Sequence, residues 1–234
     1  DLIKGFLLFP IQIYFDFSGY VDMALGVSNI FSIELPVNFN RPYLTKSLTE
    51  FWRSWHITLS KWFKDYLYIP LGGSRGSKPL LFFNLMFTMS LAGLWHGANF
   101  NFILWGFLNG LLLFFEKQYT PSKKINDILK ITINCFIIFN LWLIFRIQDF
   151  SILIEYISLL YANIDYLFLK ENIFVLFFTI LAISSQKYDN YSYIKQISTK
   201  IRLSFFSVPV IILIIILGLS FSSGTSDKFI YFDF

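Results

Sequence analysis

Two histidines, His56 and His96, are the residues of this chain best suited to chemistry. Imidazole has an unperturbed pKa of about 6.5, so it is largely neutral at pH 7 and can accept a proton. His96 lies in LAGLWHGANF, residues 91–100, between the apolar runs 80–94 and 100–115. An ionisable side chain at membrane depth is costly and needs a reason. It is a satisfied core residue, a metal ligand or a catalyst. Neither histidine has a ligand-type residue three or four positions on, so metal binding is not expected. No G-x-S-x-G elbow is present, and the single cysteine, Cys135, sits alone in an apolar segment. Two readings of His96 remain. It is a general base on an incoming hydroxyl, worth roughly 10²–10⁴-fold in rate, or a polar group that joins helices. For His56, which borders the apolar face of its segment, the simpler reading is capping or packing.

The elements that hold these residues belong to a membrane protein. Of 234 residues, 56% are hydrophobic and only 15% charged, where soluble domains carry about a quarter. Mean hydropathy is +0.59. The thirty Phe and thirteen Tyr suit lipid-facing surfaces and interfacial belts. The fold class expected is all-α, a polytopic transmembrane helical protein with amphipathic or re-entrant helices.

Along the chain, apolar segments fall at 5–17 and 20–33, broken by Ser18-Gly19, and a Pro- and Asn-rich loop follows at 34–45. Residues 47–66 read as one amphipathic helix, opened by the capping box Ser47-Leu48-Thr49-Glu50. Its charges, Glu50, Arg53, Lys61, Lys64 and Asp65, place it in an interface rather than across lipid. After a Gly-rich turn within 67–79, spanning segments are expected at 80–94, 100–115, 131–147, 173–185 and 205–221. The stretch 151–162 is a short interfacial or re-entrant helix. Gly93 and Gly97 flank His96 and allow close backbone approach. Asn84, Asn99, Asn101 and Asn109 add polar groups nearby.

Loop charge sets an orientation. The loop 117–130 carries Lys117, Lys123, Lys124 and Lys130, and the loop 186–204 carries Lys187, Lys195, Lys200 and Arg202. Between them, 148–171 has Lys170 against Asp149, Glu155, Asp165 and Glu171. The basic loops are therefore expected in the cytoplasm. This places His96 and the C-terminus toward the outside, in the cytoplasmic (inner) membrane of a bacterium.

Three strings, QIYFDFSGYVDMALG, NFNRPYLTKSLTEFWRSWHITLSKWFKDYLYIPLGG and LAGLWHGANFNFILWGFLNG, occur in this order within residues 12–116. Together they resemble the membrane-bound O-acyltransferase (MBOAT) family, in its bacterial branch of alginate and peptidoglycan O-acetyltransferases. The resemblance implies an MBOAT-type helix bundle around a funnel, with residues 1–234 forming the C-terminal half of the domain and N-terminal helices preceding it. It implies a membrane O-acetyltransferase that moves acetyl from a cytoplasmic thioester, acetyl-CoA, to hydroxyls of a cell-envelope or extracellular polysaccharide. His96 matches the family's essential membrane histidine and His56 its second motif histidine. Trp95 and Asn99 would shape the site, and Asn40 and Arg41 would line the donor path. No bound cofactor and no nucleic acid are expected. The partners implied are membrane lipid, the acetyl donor, an extracytoplasmic acetyltransferase and the polysaccharide acceptor.

The last six residues, FIYFDF, are similar to the C-terminal aromatic motif of a small partner in the D-alanylation system. That similarity implies that Tyr231 is an acyl carrier, since an activated tyrosine is a competent covalent nucleophile. Asp233 stands where that motif commonly has glutamine. The alternative for the tail is an interfacial aromatic anchor. For the whole chain the alternatives are D-alanyl transfer to teichoic acid, a membrane transporter and a scaffold for a polymer-secreting complex. A transporter would line its route with polar residues in broken helices, but no paired half-repeats are visible.

Overall fold

The computed structural model describes residues 2–119, 125–162 and 170–188. Among these residues every regular element is helical. In chain order they are α1 (Leu2–Ile30), a 3₁₀ turn (Pro42–Leu44), α2 (Leu48–Trp52), α3 (Ile57–Phe63) and a π-helical turn (Lys64–Tyr68). There follow α4 (Lys78–His96), α5 (Phe100–Gln118), α6 (Asp127–Arg146), α7 (Phe150–Ala162) and α8 (Ile173–Ser185). By length and composition, α4 and α6 are able to cross a membrane. The expected span 205–221 and the tail with Tyr231 lie outside the described residues.

Two expectations are corrected. Segments 5–17 and 20–33 form one helix, α1, which runs through Ser18-Gly19 without a break. Glycine in a helix interior costs only about 1 kcal/mol. Ile13, Tyr14, Phe17, Val21 and Leu25 recur on one buried face across that point and hold the helix together. Conversely, 47–66 is not one helix. It breaks at His56, whose backbone is left-handed (φ 42°, ψ 57°). The loop before it causes the break: Asn40 N–H donates to Ser54 O, and Ile57 N–H donates to Asn38 O, both at 3.0 Å. Backbone groups that a continuous helix would pair internally are paired with the loop instead.

The capping box is half formed. Ser47 Oγ accepts from Glu50 N–H at 3.2 Å, but the Glu50 carboxylate accepts from Lys46 N–H rather than from Ser47. The other free N–H groups at the start of α2 go to a distant partner. Leu48 and Thr49 both donate to the Glu116 carboxylate at the end of α5.

An aromatic core joins α1, the 42–55 segment and α6. Tyr43 is buried and donates its hydroxyl to Pro10 O of α1 at 2.7 Å. Trp55 packs against Tyr14, Phe39, Phe51 and Trp142. In lipid, apolar surface alone does not drive helices together, so close backbone approach must do so. The α4–α5 pair achieves it through glycine. A Cβ on Gly93 would lie 2.0 Å from Phe102 O, and one on Gly106 would lie 2.1 Å from Met89 O. Asparagines of α4 and α5 add hydrogen bonds, most of them to other elements. Asn84 donates to Leu71 O and Gly73 O, Asn101 to Ile147 O, and Asn109 to Trp105 O.

Candidate functional site

His96 is the last residue of α4. Gly97 N–H closes the helix on Leu94 O at 3.1 Å, and Asn99 then caps α5 by accepting Asn101 N–H at 2.8 Å. This tight reversal, with the glycine contacts below it, sets His96 against α5 and α6. Its ring meets Trp105 edge-on at a centroid distance of 5.6 Å and Phe145 at 5.0 Å, with Phe102 at 6.2 Å and Trp95 at 5.0 Å. The cage is aromatic, yet the ring is only half-buried.

The open side of His96 faces a cavity of about 330 Å³, within the size range of ligand sites. One wall is a single face of α4: Leu85, Thr88, Met89, Ala92 and His96. At 1.5 Å per residue, Leu85 to His96 spans roughly 16 Å. Trp105, Leu113 and Lys117 of α5 line it too, and Trp52, Arg53, Leu59, Phe63 and Lys64 of the broken helix close it. Arg53, Lys64 and Lys117 are exposed cations. Lys117 and His96 lie toward opposite ends of the antiparallel α4–α5 pair, so the lining carries a cation toward one end and an imidazole toward the other. Lys117 Nζ donates to Tyr68 Oη at 3.0 Å and Ser74 Oγ at 2.6 Å, which holds the π-helical turn to α5. Thr88 is buried in the wall, and its Oγ1 has no hydrogen-bond partner.

His56 stands next to this cage, outside the spanning helices. Its ring contacts Phe17 at 4.8 Å and Trp95 at 6.4 Å, so Trp95 touches both histidines. Burial pushes the His56 pKa down to about 4, which leaves it neutral at pH 7. It occupies the N-cap position of α3, but its side chain does not cap the helix. Asn38 caps it instead, its Oδ1 accepting Thr58 N–H at 3.1 Å and Thr58 Oγ1–H at 2.6 Å. His56 Nδ1 lies 3.2 Å from the same oxygen.

The other expected site residues are distributed as follows. Trp95 is 56% exposed beside His56 and His96. Asn99 is committed to structure: besides capping α5, its Nδ2 donates to Gln148 O at 3.4 Å. Asn40 and Arg41 do not line the cavity. Arg41 precedes the 3₁₀ turn in a left-handed conformation, with its Nε buried. Tyr231 lies outside the described residues. Sequence reading passed over Asn38, Thr88 and Lys117 as site residues, because their roles depend on contacts far along the chain. Among the described residues, no three His, Cys, Asp or Glu side chains converge as metal ligands.

The stretch that builds the cage and the cavity is also the one with known counterparts. The model of the MBOAT, membrane-bound O-acyltransferase family, matches residues 2–154. The chain belongs to the membrane-bound O-acyltransferase family. Within this family of membrane proteins it is 45% identical, over 154 residues, to a protein of Pseudomonas aeruginosa named probable alginate O-acetylase AlgI. That match covers 65% of this chain and 30% of the relative. It is 43% identical over 148 residues to the peptidoglycan O-acetyltransferase of Helicobacter pylori, covering 61% of this chain and 28% of that protein. The teichoic acid D-alanyltransferase of Bacillus subtilis is more distant, 34% identical over 143 residues, covering 53% of this chain and 36% of that one. The chain thus spans about a third of the length of the curated relatives it matches.

Proposed function

We propose that the protein is a membrane O-acetyltransferase and that His96 is its general base. The observation that carries this reading is a cavity lined by both a half-buried imidazole and three exposed cations. A thioester with an anionic head and a long arm, acetyl-CoA, suits that shape: phosphates at Arg53, Lys64 and Lys117, and the acyl group at His96. The hydroxyl approaches past Trp95. His96 takes its proton as the oxygen attacks the thioester carbonyl. A C–O bond forms, the C–S bond breaks, and the departing thiolate receives the proton. The net products are an acetyl ester and free thiol.

The acceptor is a polysaccharide of the cell envelope or the extracellular matrix, in line with the names of the alginate and peptidoglycan relatives. Greater distance from the D-alanyltransferases favours acetyl over D-alanyl. The basic loops lie in the cytoplasm, and the C-terminus lies outside the inner membrane. There Tyr231 receives the acetyl first and an extracytoplasmic partner passes it on.

The test is O-acetyl ester content of the envelope glycans in a deletion strain complemented with wild type or His96→Ala. Esters restored only by wild type are expected; normal esters with His96→Ala would remove the proposal. For the carrier, mass spectrometry of the C-terminal peptide should find acetyl on Tyr231, and full transfer by Tyr231→Phe would exclude it.

A further inference from the structure

Three groups share one oxygen beside the candidate site. Asn38 Oδ1 lies 3.1 Å from Thr58 N, 2.6 Å from Thr58 Oγ1 and 3.2 Å from His56 Nδ1. A backbone N–H can only donate, so the Asn38 atom that receives it is the amide oxygen and not the nitrogen. An amide oxygen can only accept, so His56 Nδ1 must carry a hydrogen. A neutral imidazole has one N–H, so Nε2 carries the lone pair.

The backbone keeps this arrangement in place. Ile57 N–H donates to Asn38 O and Asn40 N–H to Ser54 O, on either side of the left-handed His56. The loop is therefore pinned to the helix break at two points around the ring. Asn38 also caps α3 from outside, which leaves the imidazole free of that duty.

We propose that Asn38 is a positioning residue that holds His56 as the Nδ1–H tautomer, so that Nε2 is the atom able to accept a proton or hydrogen bond from the acceptor hydroxyl. This rests on the reading of the site as one for acyl transfer. The pattern follows a general rule for working histidines: the partner of one ring nitrogen decides what the other can do. His56 then orients the hydroxyl near Trp95, and His96 takes its proton at the end of the donor cavity.

The test separates tautomer from activity. In the full-length protein labelled with ¹⁵N-histidine, ring-nitrogen shifts identify which nitrogen is protonated, and His56→Gln assigns the His56 signals. The wild type should show protonated Nδ1 and unprotonated Nε2. Asn38→Asp retains an acceptor oxygen, so it should keep both the helix cap and the tautomer. Asn38→Ala should release the ring to a mixture of tautomers and lower kcat roughly 10–100-fold, as loss of an orienting partner does, with the donor KM little changed. Asn38→Asp should recover most of that loss. A wild type protonated at Nε2 would overturn the proposal, and so would a folded Asn38→Ala with wild-type kcat. A wild type with the expected tautomer that transfers no acyl group would overturn the acyl-transfer reading and leave the tautomer standing.

Discussion

Gly93 of α4 faces the carbonyl oxygen of Phe102 in α5 so closely that a Cβ on the glycine would come within 2.0 Å of it. That obstacle is backbone, which cannot turn aside. Gly93→Ala must push α4 away from α5, and His96 is carried three residues further on the same helix. The variant should lose stability at or above the upper end of the roughly 1–3 kcal/mol seen for overpacking. It should also lose most acetyl transfer. Thermal unfolding in detergent and envelope ester content check the two effects separately.

The hydrogen bond from Trp52 Nε1 to Asn109 Oδ1, at 3.2 Å, ties the broken helix to α5 at the cavity wall. Trp52→Phe keeps an aromatic ring but leaves a buried amide oxygen without its donor. Leaving such a group unpaired costs about 1–3 kcal/mol. The double variant Trp52→Phe/Asn109→Leu should destabilise by less than the sum of the two single variants, measured by the same unfolding assay.

The cations that line the cavity are exposed and should act through ground-state attraction. Arg53→Glu or Lys64→Glu should raise the KM for acetyl-CoA about tenfold and leave kcat nearly unchanged, the signature of uniform binding loss. Raising the salt concentration should weaken wild-type donor binding more than that of the variants. Thr88→Val tests the cavity wall in the opposite sense. Removing an unpartnered buried hydroxyl should not lower the melting temperature, while KM for the donor should rise a few-fold, up to about tenfold.

Burial lowers the His56 pKa to about 4, below the value of about 6.5 of an unfolded chain. Between those values the unfolded state binds more protons than the folded one, so stability rises with pH. The His56 contribution is complete above about pH 6.5 and is lost as pH falls toward 4. His56→Gln lacks this dependence. The melting-temperature difference between wild type and His56→Gln should therefore shift against the wild type on acidification across that window. A constant difference would contradict the burial argument.

The histidines, α4 and α5 could be read from sequence because their signals are local. LAGLWHGANF breaks an apolar pattern at one residue, and residues 80–94 and 100–115 lie inside the observed helices. The broken helix could not be read in this way. Its apolar spacing fits a single helix, and the break comes from Asn38 and Asn40, which lie well upstream of His56. Asn38 looked like loop punctuation for the same reason. The cavity exists only when α2 and α3 lie across α4 and α5. Part of the cap on α2, the acceptor for Leu48 and Thr49 N–H, is Glu116, far along the chain at the end of α5. Local pattern reveals elements and costly residues; long-range hydrogen bonds decide which of them meet.

The central claim is that His96 performs proton transfer at the end of the donor cavity. Transfer of label from acetyl-labelled acetyl-CoA to acceptor, in membranes carrying equal amounts of inserted wild type or His96→Gln, tests it most directly. Glutamine preserves polarity and approximate size but cannot serve as a base. The rate should fall by at least about 10²-fold with the donor still bound. A His96→Gln protein that transfers label at the wild-type rate would contradict the account.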